Sequence, residues 1–258
     1  LNGNQTAAVR FNFILNQRQS QGSLPSNAFT ASTIVTSTIL DNIAKSYNID
    51  NFVTLTGFKW IADLINKNDK KEFIIGGEES YGYLISDFVR DKDAISASVL
   101  LAEAASYYKE SGSSFYEELL KLYFKFGTHL DSLLSIVKKG KKGDEEIREI
   151  MSNLRSKTPK KLGSYRVKKI LDYQLGQSKN IISGEFTEIK LPKSNVLQFI
   201  MENNDRITVR PSGTEPKIKY YFNVIGEPIN LHDKNSYNII AERLNERIKN
   251  YKTSISKF

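Results

Sequence analysis

Among the residues able to do chemistry, the densest group is Arg210-Pro211-Ser212-Gly213-Thr214-Glu215-Pro216-Lys217. It follows an alternating stretch in which Ile207 and Val209 share one face and Arg206, Thr208 and Arg210 share the other. Arg210 would stand at the strand exit and offer a planar fork that matches phosphate. Pro211 fixes the chain direction. Gly213 permits positive φ and close approach of backbone N–H groups to a ligand. Ser212 and Thr214 add hydroxyl donors, and Lys217 adds a second cation. Charge-assisted bonds of this kind contribute about 1.5–3 kcal/mol each. The plainer reading is a hairpin turn, since Pro, Ser and Gly are ordinary turn residues. Turns seldom gather Arg, two hydroxyls and Lys around one glycine, so phosphate binding is the favoured reading. The segment is no P-loop, because Gly-Lys-Ser/Thr is absent and no helix follows directly.

Three further segments compete for attention. In Gly76-Gly77-Glu78-Glu79-Ser80-Tyr81-Gly82-Tyr83, an extended loop would turn Glu78 and Ser80 to one side. A carboxylate there would accept hydrogen bonds from vicinal sugar hydroxyls. A solvated turn between glycines explains the same residues about as well. Asp87 to Asp93 alternates charge ahead of an apolar stretch. Asp93 reads as a helix N-cap, and Asp91 with Asp93 is a weak Mg²⁺ pair lacking a third carboxylate. Lys92 becomes a proton-transfer or positioning candidate only beside a ligand. Thr54-Leu55-Thr56-Gly57-Phe58-Lys59-Trp60 has a Thr-Gly turn that suits a sugar or phosphate, or else simply joins a strand to a helix. His129 and His232 have no neighbours that would orient an imidazole, and both read as structural or surface residues.

The elements around these segments alternate. A helix is expected over 5–16, a loop over 17–27 and a short strand at Thr33-Ile34-Val35-Thr36, followed by a helix capped by Ser37. Phe52 to Leu55 and Glu72 to Ile75 read as strands, with a helix through Trp60, Ile61 and Leu64 between them. Strands alternating with helices argue a parallel sheet, and such sheets bind ligands beyond the carboxyl ends of their strands. That places Thr54 to Lys59 and Gly76 to Asp87 as ligand loops. Asp93 to Tyr108 is apolar nearly all round and is expected to be buried. Ser114 to Phe126 reads as an amphipathic helix and Leu133 to Val137 as a strand.

Lys138-Lys139-Gly140-Lys141-Lys142-Gly143 breaks the pattern, and a domain boundary is expected just before or within it. A helix over 144–154 follows. Strands at 165–170, 196–200, 206–210 and 218–224 then come without helices between them, and a last helix spans about 234–251. The fold class is therefore α/β: a three-layer domain with a mainly parallel sheet over 1–131, then a smaller α+β domain with an antiparallel sheet over 132–258.

Composition bounds the rest. The chain has 258 residues, and 37 Lys+Arg less 29 Asp+Glu leaves +8, which favours anionic partners without fixing a fold. It has no cysteine, so disulfides, thiolate metal sites and cysteine nucleophiles are excluded. Two histidines are too few for a multi-histidine metal site. No run of roughly 18 apolar residues occurs and residues 1–5 do not read as a signal peptide. The expectation is a cytoplasmic protein with no membrane partner. The missing initiator methionine fits a processed or excised chain.

Taken in order, these segments resemble the α-D-phosphohexomutase family, specifically its phosphoglucomutase/phosphomannomutase members and the type that includes phosphopentomutases. The resemblance rests on 54–60, on Gly77 to Tyr83, on Asp91-Lys92-Asp93 and on 210–219. Asn2-Gly3-Asn4-Gln5 and Leu154-Arg155 before Pro159 also fit. It covers essentially the whole chain, which is similar to the third and fourth of the family's four domains. The resemblance implies that Glu78 and Ser80, with Thr56 and Gly57, grip sugar hydroxyls. It implies that Arg210, Ser212, Gly213 and Thr214, with Lys217, hold the substrate's non-transferring phosphate. Lys92 matches a family lysine near the reacting centre.

The resemblance further implies an isomerase-class phosphotransferase that interconverts hexose 1-phosphate and 6-phosphate through a bisphosphate. It would use Mg²⁺ and a hexose 1,6-bisphosphate activator in the complete enzyme. The family's serine loop and its three-carboxylate Mg²⁺ loop have no match here. Thr30-Ala31-Ser32-Thr33 is a partial echo of the serine loop in which Ser32 reads as structural. No metal ligands are therefore expected in this chain. Its partners would be a phosphorylated sugar and the N-terminal half of the same enzyme, and alone it would be inactive. A standalone phosphosugar-binding module is the alternative. A nucleic-acid binder is disfavoured, because the lysine clusters lack interleaved aromatics and alternate with acidic helices.

Overall fold

The computed structural model describes all residues except Lys139 and Thr214, and the side chain of Lys141. The chain divides into two compact units, one of residues 1–129 with 227–237 and one of residues 130–226 with 238–258.

In chain order the first unit begins with α1 (Gly3–Ser20), β1 (Ala28–Thr33), α2 (Ile39–Ser46), β2 (Asp50–Thr54) and α3 (Phe58–Lys67). It continues with β3 (Glu72–Gly77), β4 (Tyr83–Ile85), α4 (Ala94–Glu110) and α5 (Phe115–Phe126). The sheet order is β2-β1-β3-β4. β1 runs parallel to β2 and β3, and β4 is antiparallel to β3. Helices cover both faces, as the adjacent Gly76 and Gly77 demonstrate. A Cβ on Gly76 would meet Phe73 and Ile61 of α3, and one on Gly77 would meet Tyr83 and Phe11 of α1. Successive strand residues face opposite ways, so α1 and α3 lie on opposite faces. On the α3 side Phe29, Ala31, Phe58, Ile61, Ile65, Phe73 and Leu84 form the core. Phe29 meets Phe52 and Phe73 edge-on at 5.3 and 5.5 Å. Each such buried ring contributes roughly 1.5–3 kcal/mol.

Three local expectations are corrected here. The first strand is Ala28–Thr33, and 34–36 lie in the turn after it. Its β-branched run therefore marked the strand's exit, where Ile34 and Val35 are buried by tertiary packing. Thr38, not Ser37, is the N-cap of α2, with no side-chain cap bond. The Ser37 N–H is instead taken by Asn4 Oδ1 at 2.9 Å. Burial is reversed between two helices. In α4 only Ala97, Leu100, Ala104 and Tyr108 are buried, while Ile95 and Val99 stay 79% and 63% exposed. The helix buried nearly all round over its first half is α1, polar Asn4 and Arg10 included.

The second unit contains β5 (His129–Val137), α6 (Gly140–Ser156), β6 (Lys161–Leu162), β7 (Tyr165–Asp172), β8 (Gln177–Asn180) and β9 (Phe186–Glu188). β10 (Leu197–Met201), β11 (Arg206–Pro211), β12 (Lys217–Ile225) and most of α7 (Ser236–Ile255) complete it. Its sheet order is β5-β12-β11-β10-β7-β8-β9, with β6 paired to β7. The pairings from β12 through to β9 are antiparallel. The architecture is thus α/β, with a mostly parallel first sheet and an antiparallel second one. α6 starts at Gly140, four residues before the expected start, so part of the basic stretch is helical. Within this unit the fully buried Asp205 carboxylate takes the Tyr251 hydroxyl at 2.8 Å, the Ile225 N–H at 2.9 Å and Arg247 at 3.2 Å. A buried carboxylate bonded on several sides is held in place, and here it ties α7 to the sheet.

Candidate functional site

In the first unit β1, β2 and β3 run parallel, so the loops after them emerge along one edge of the sheet. Gly57 ends the loop after β2 and is the N-cap of α3, with φ 111° and ψ 131°. That positive φ suits glycine alone. Its N–H donates to Glu78 Oε1 at 2.7 Å. Glu78 comes from the turn after β3 and is only 7% exposed. The positive end of α3 favours a carboxylate at this point.

The β3–β4 connection is a tight hairpin turn, closed by Glu78 N–H donating to the Gly82 carbonyl at 2.9 Å, and Tyr81 takes φ 66°. It is not extended. Glu78 consequently tucks inward while Ser80 is exposed, which corrects the expectation that both face one way. Gly82 is pressed from three sides. A Cβ there would lie 2.8 Å from Phe58 Cε2, 3.2 Å from Lys92 Cδ and 3.3 Å from Glu78 Oε2. The structure therefore gathers Gly57, Glu78 and the stem of Lys92 around Gly82, with the half-buried Thr56 next in the chain. Sequence reasoning gave Gly82 no role, although its place three residues before the end of a Glu-rich hairpin was a usable sign.

Asp93 accepts from the N–H groups of Ile95 and Ser96 at 3.0 and 3.1 Å. The Ser96 side chain first, then these two N–H groups, hold its carboxyl below the usual carboxylate range. Asp91 accepts from the Lys92 N–H at 2.7 Å. Both carboxylates thus serve local backbone, and among the described residues no group of three or more ligating side chains could hold a metal ion. Ser32 is 3% exposed and its Oγ accepts from Asn51 Nδ2 at 2.9 Å, as befits a strand interior. His129 is buried with Nδ1 3.1 Å from the Gly127 carbonyl, and His232 is exposed.

In the second unit Arg210, the next-to-last residue of β11, stands directly opposite Lys219 of β12. Opposed residues share a sheet face, so two cations stand together where the hairpin closes. Arg210 is half-buried and has no ion-pair partner among the described residues. The tip is closed by Ser212 N–H donating to the Lys217 carbonyl at 2.7 Å. Lys217 Nζ lies 2.7 Å from Glu215 Oε2, and this bond pulls the Glu215 carboxyl below its ordinary range. Lys217 is therefore already engaged within the tip. Gly213 departs from expectation, because its φ is not positive and a Cβ there would meet nothing within 4 Å. It is exposed, which leaves its backbone open to a ligand. Thr214 lies outside the described residues.

Comparison with known proteins follows the same division. A family model described as phosphoglucomutase/phosphomannomutase, alpha/beta/alpha domain III, matches residues 2–123. A phosphoglucomutase of Staphylococcus epidermidis is 35% identical over 250 residues, which is 96% of this chain and 43% of that protein. A phosphoglucomutase of Staphylococcus saprophyticus is 40% identical over 200 residues, 76% of this chain and 36% of that one. Among solved structures, the open form of parafusin, a phosphoglucomutase from Paramecium, superposes with TM-score 0.63 at 19% identity. That match covers 100% of this chain and 42% of parafusin. The chain thus spans less than half the length of these relatives.

Proposed function

The chain belongs to the phosphoglucomutase/phosphomannomutase family, and on that premise we propose that it supplies sugar and phosphate recognition to a phosphohexomutase. Such an enzyme interconverts hexose 1-phosphate and 6-phosphate through a bisphosphate. The observation that carries this reading is the Glu78 carboxylate, buried yet bonded through Oε1 to the Gly57 N–H at 2.7 Å. Oε2 faces Gly82 beside the Lys92 stem. A carboxylate acceptor held in place suits neighbouring sugar hydroxyls, which donate hydrogen bonds to it. Ser80, exposed on the same turn, adds a hydroxyl, and Thr56 flanks the site. Lys92 brings a cation to this group and serves to position charge or a proton at a reacting oxygen.

In the second unit Arg210 and Lys219 offer positive charge at the hairpin end, with Ser212, the Gly213 backbone and Lys217 around the tip, and Thr214 joins the proposed set by its place in the sequence. This set is proposed for the phosphate that is not being transferred, which needs charge and hydrogen bonds rather than a nucleophile. Residues 1–131 would then serve the sugar and 132–258 the phosphate.

The side chains present do not fit Mg²⁺, since Asp91 and Asp93 are committed to backbone N–H groups. No step is assigned to a metal on this chain. Ser32 is buried in β1 and no serine here stands in a nucleophile loop, so the 258-residue chain alone is proposed to lack mutase turnover. Its proposed partners are a phosphorylated sugar and the remainder of a longer mutase, and the hexose 1,6-bisphosphate activator and Mg²⁺ belong to that complete enzyme. No helix among the described residues is long and apolar enough to cross a membrane. A cytoplasmic location is part of the proposal.

Calorimetric titration with glucose 1,6-bisphosphate tests the reading, with Arg210→Ala and Glu78→Gln run beside the parent chain. Binding by the parent that both variants weaken supports it. Parent binding untouched by either substitution would remove these residues from the site, and turnover of glucose 1-phosphate by the pure chain would overturn its inactivity.

A further inference from the structure

We propose that Gly3 and Tyr83 are positioning residues for the sugar-recognition turn, and that the first turn of α1 sets where the Glu78 carboxylate points. The inference rests on the sugar reading of that turn only for its consequence in binding. Its structural basis is independent.

The start of α1 is fixed by a reciprocal cap. Asn2 Oδ1 accepts from the Gln5 N–H and Gln5 Oε1 from the Asn2 N–H, both at 2.9 Å. Gly3, the next residue, touches the turn directly. A Cβ on Gly3 would fall 1.9 Å from the Glu79 carbonyl oxygen and 3.2 Å from the Tyr81 nitrogen. Any side chain there must push the turn away. The Gly3 carbonyl also accepts from the Tyr83 hydroxyl at 2.7 Å, a buried bond between residues 80 apart in sequence. Tyr83 is paired with Gly77 across β3 and β4, so it marks the exit of the same hairpin that Glu78 enters.

The Tyr83 ring is clamped as well. The Arg10 guanidinium lies 4.3 Å above its centre. Arg10 is 5% exposed, and its Nε and Nη1 have no hydrogen-bond partner among the described residues. Burial lowers its pKa, and the tyrosine is the neighbour that opposes this. A cation with no ion pair among the described residues gains most from a ring face, which ties α1 to the turn by a second contact. One residue on, Asn4 Oδ1 holds the Ser37 N–H of the loop after β1. The Gly57–Glu78 bond then joins the loop after β2 to the turn after β3. All three loops at this edge are thereby cross-linked, and the first turn of α1 holds two of them.

Amide hydrogen exchange on the 258-residue chain reads this without any ligand. The Gly57 amide reports the Glu78 carboxylate, and the Glu78 amide reports turn closure. Tyr83→Phe keeps the ring and removes only the bond to Gly3. The expected result is about tenfold faster exchange at both amides, with the β1 amides of residues 29–33 unchanged. Gly3→Ala should do the same more strongly, and Glu78→Gln is the control for the Gly57 report. Unchanged Gly57 and Glu78 protection in Tyr83→Phe would overturn the proposal, as would an equal loss in β1, which would signify general loosening. A second arm titrates glucose 1,6-bisphosphate and inorganic phosphate. Tyr83→Phe should weaken the first about tenfold and leave the second alone. If the exchange result holds while the parent fails to bind the bisphosphate, the sugar reading falls and the positioning role stands.

Discussion

The turn at 78–82 and the hairpin tip at 212–216 are both short connections between antiparallel strands, yet they are built in opposite ways. The first is crowded and cross-braced. Glu78 is buried, Gly82 has no room for a methyl group and Tyr83 is bonded beneath it. The second is more open, since a would-be Cβ on Gly213 meets nothing within 4 Å. Its braces among the described residues are backbone bonds such as Ser212 to Lys217 and Lys138 to Pro216 with the Lys217–Glu215 ion pair, none of them a buried side chain. The difference follows the chemistry proposed for each. Hydroxyl groups are weak partners, and an acceptor gains selectivity over water only when it is already aimed. A phosphate carries its own charge and binds wherever uncommitted cations are held near backbone N–H groups.

Paired glycine substitutions should break the comparison most sharply. Gly82→Ala is expected to cost about 2–3 kcal/mol by overpacking, because Phe58, Lys92 and Glu78 cannot all retreat. Gly213→Ala should stay within about 0.5 kcal/mol of the parent. Urea denaturation of the two variants measures both, and equal midpoints would erase the contrast. Arg210→Ala should come next, weakening inorganic phosphate binding by about 1.5 kcal/mol, a little over tenfold, with Glu78→Gln leaving that affinity unchanged. Calorimetry at fixed ionic strength reads the pair, and a matching loss in both would mean the two regions are not separate in function.

Glu215→Gln should act in the other direction. It releases Lys217 from its 2.7 Å ion pair and should strengthen phosphate binding roughly threefold, as expected for an exposed pair. A weaker complex would show instead that Glu215 orients the lysine for the ligand. The smallest effect is set by pH. Asp93 caps α4 while its N–H donates to the Tyr83 carbonyl at 2.9 Å. Its carboxyl is held below the ordinary range by Ser96 and Ile95, so its contribution is present above the unfolded-state pKa. That contribution fades as pH falls through the lowered value. The melting difference between the parent and Asp93→Asn should therefore shrink below about pH 4. A difference that persists in stronger acid would mean the cap does not depend on ionisation.

Much of this was legible in residue order. The alternation of strands and helices up to Gly77, and the run of strands after residue 160, gave the two sheet types. The strand ending at Arg210 carried its inward pair Ile207 and Val209 in plain view. What escaped depended on contacts distant in sequence. The helix with the cleaner apolar pattern, α4, is the less buried one, because burial is decided by which element lies between others, and α1 occupies that place. β8 and β9 were missed because β8 has no apolar residue to mark its buried face and β9 is exposed throughout. In the candidate site, Arg210 stood out from residue type and spacing, whereas Glu78 and Gly57 were set apart from ordinary turn residues only by the family resemblance. Gly3 and Tyr83 were not, since their partners lie about 80 positions away.

The return of residues 227–237 to the first unit has a bearing on how the chain is made. The Glu227 carbonyl receives both the N–H and the hydroxyl of Thr128, at 3.1 and 2.9 Å. Tyr237 stacks on Tyr123 at 5.9 Å and meets Tyr116 edge-on. A ribosome that has just released residue 129 has therefore delivered a sheet and its helices without their last strap. By the time Tyr237 emerges, the second unit is short of only its closing helix. Synthesis is sequential, yet the first unit waits for residues 227–237, which follow every strand of the second, so the first unit is not finished before its neighbour's sheet has been made.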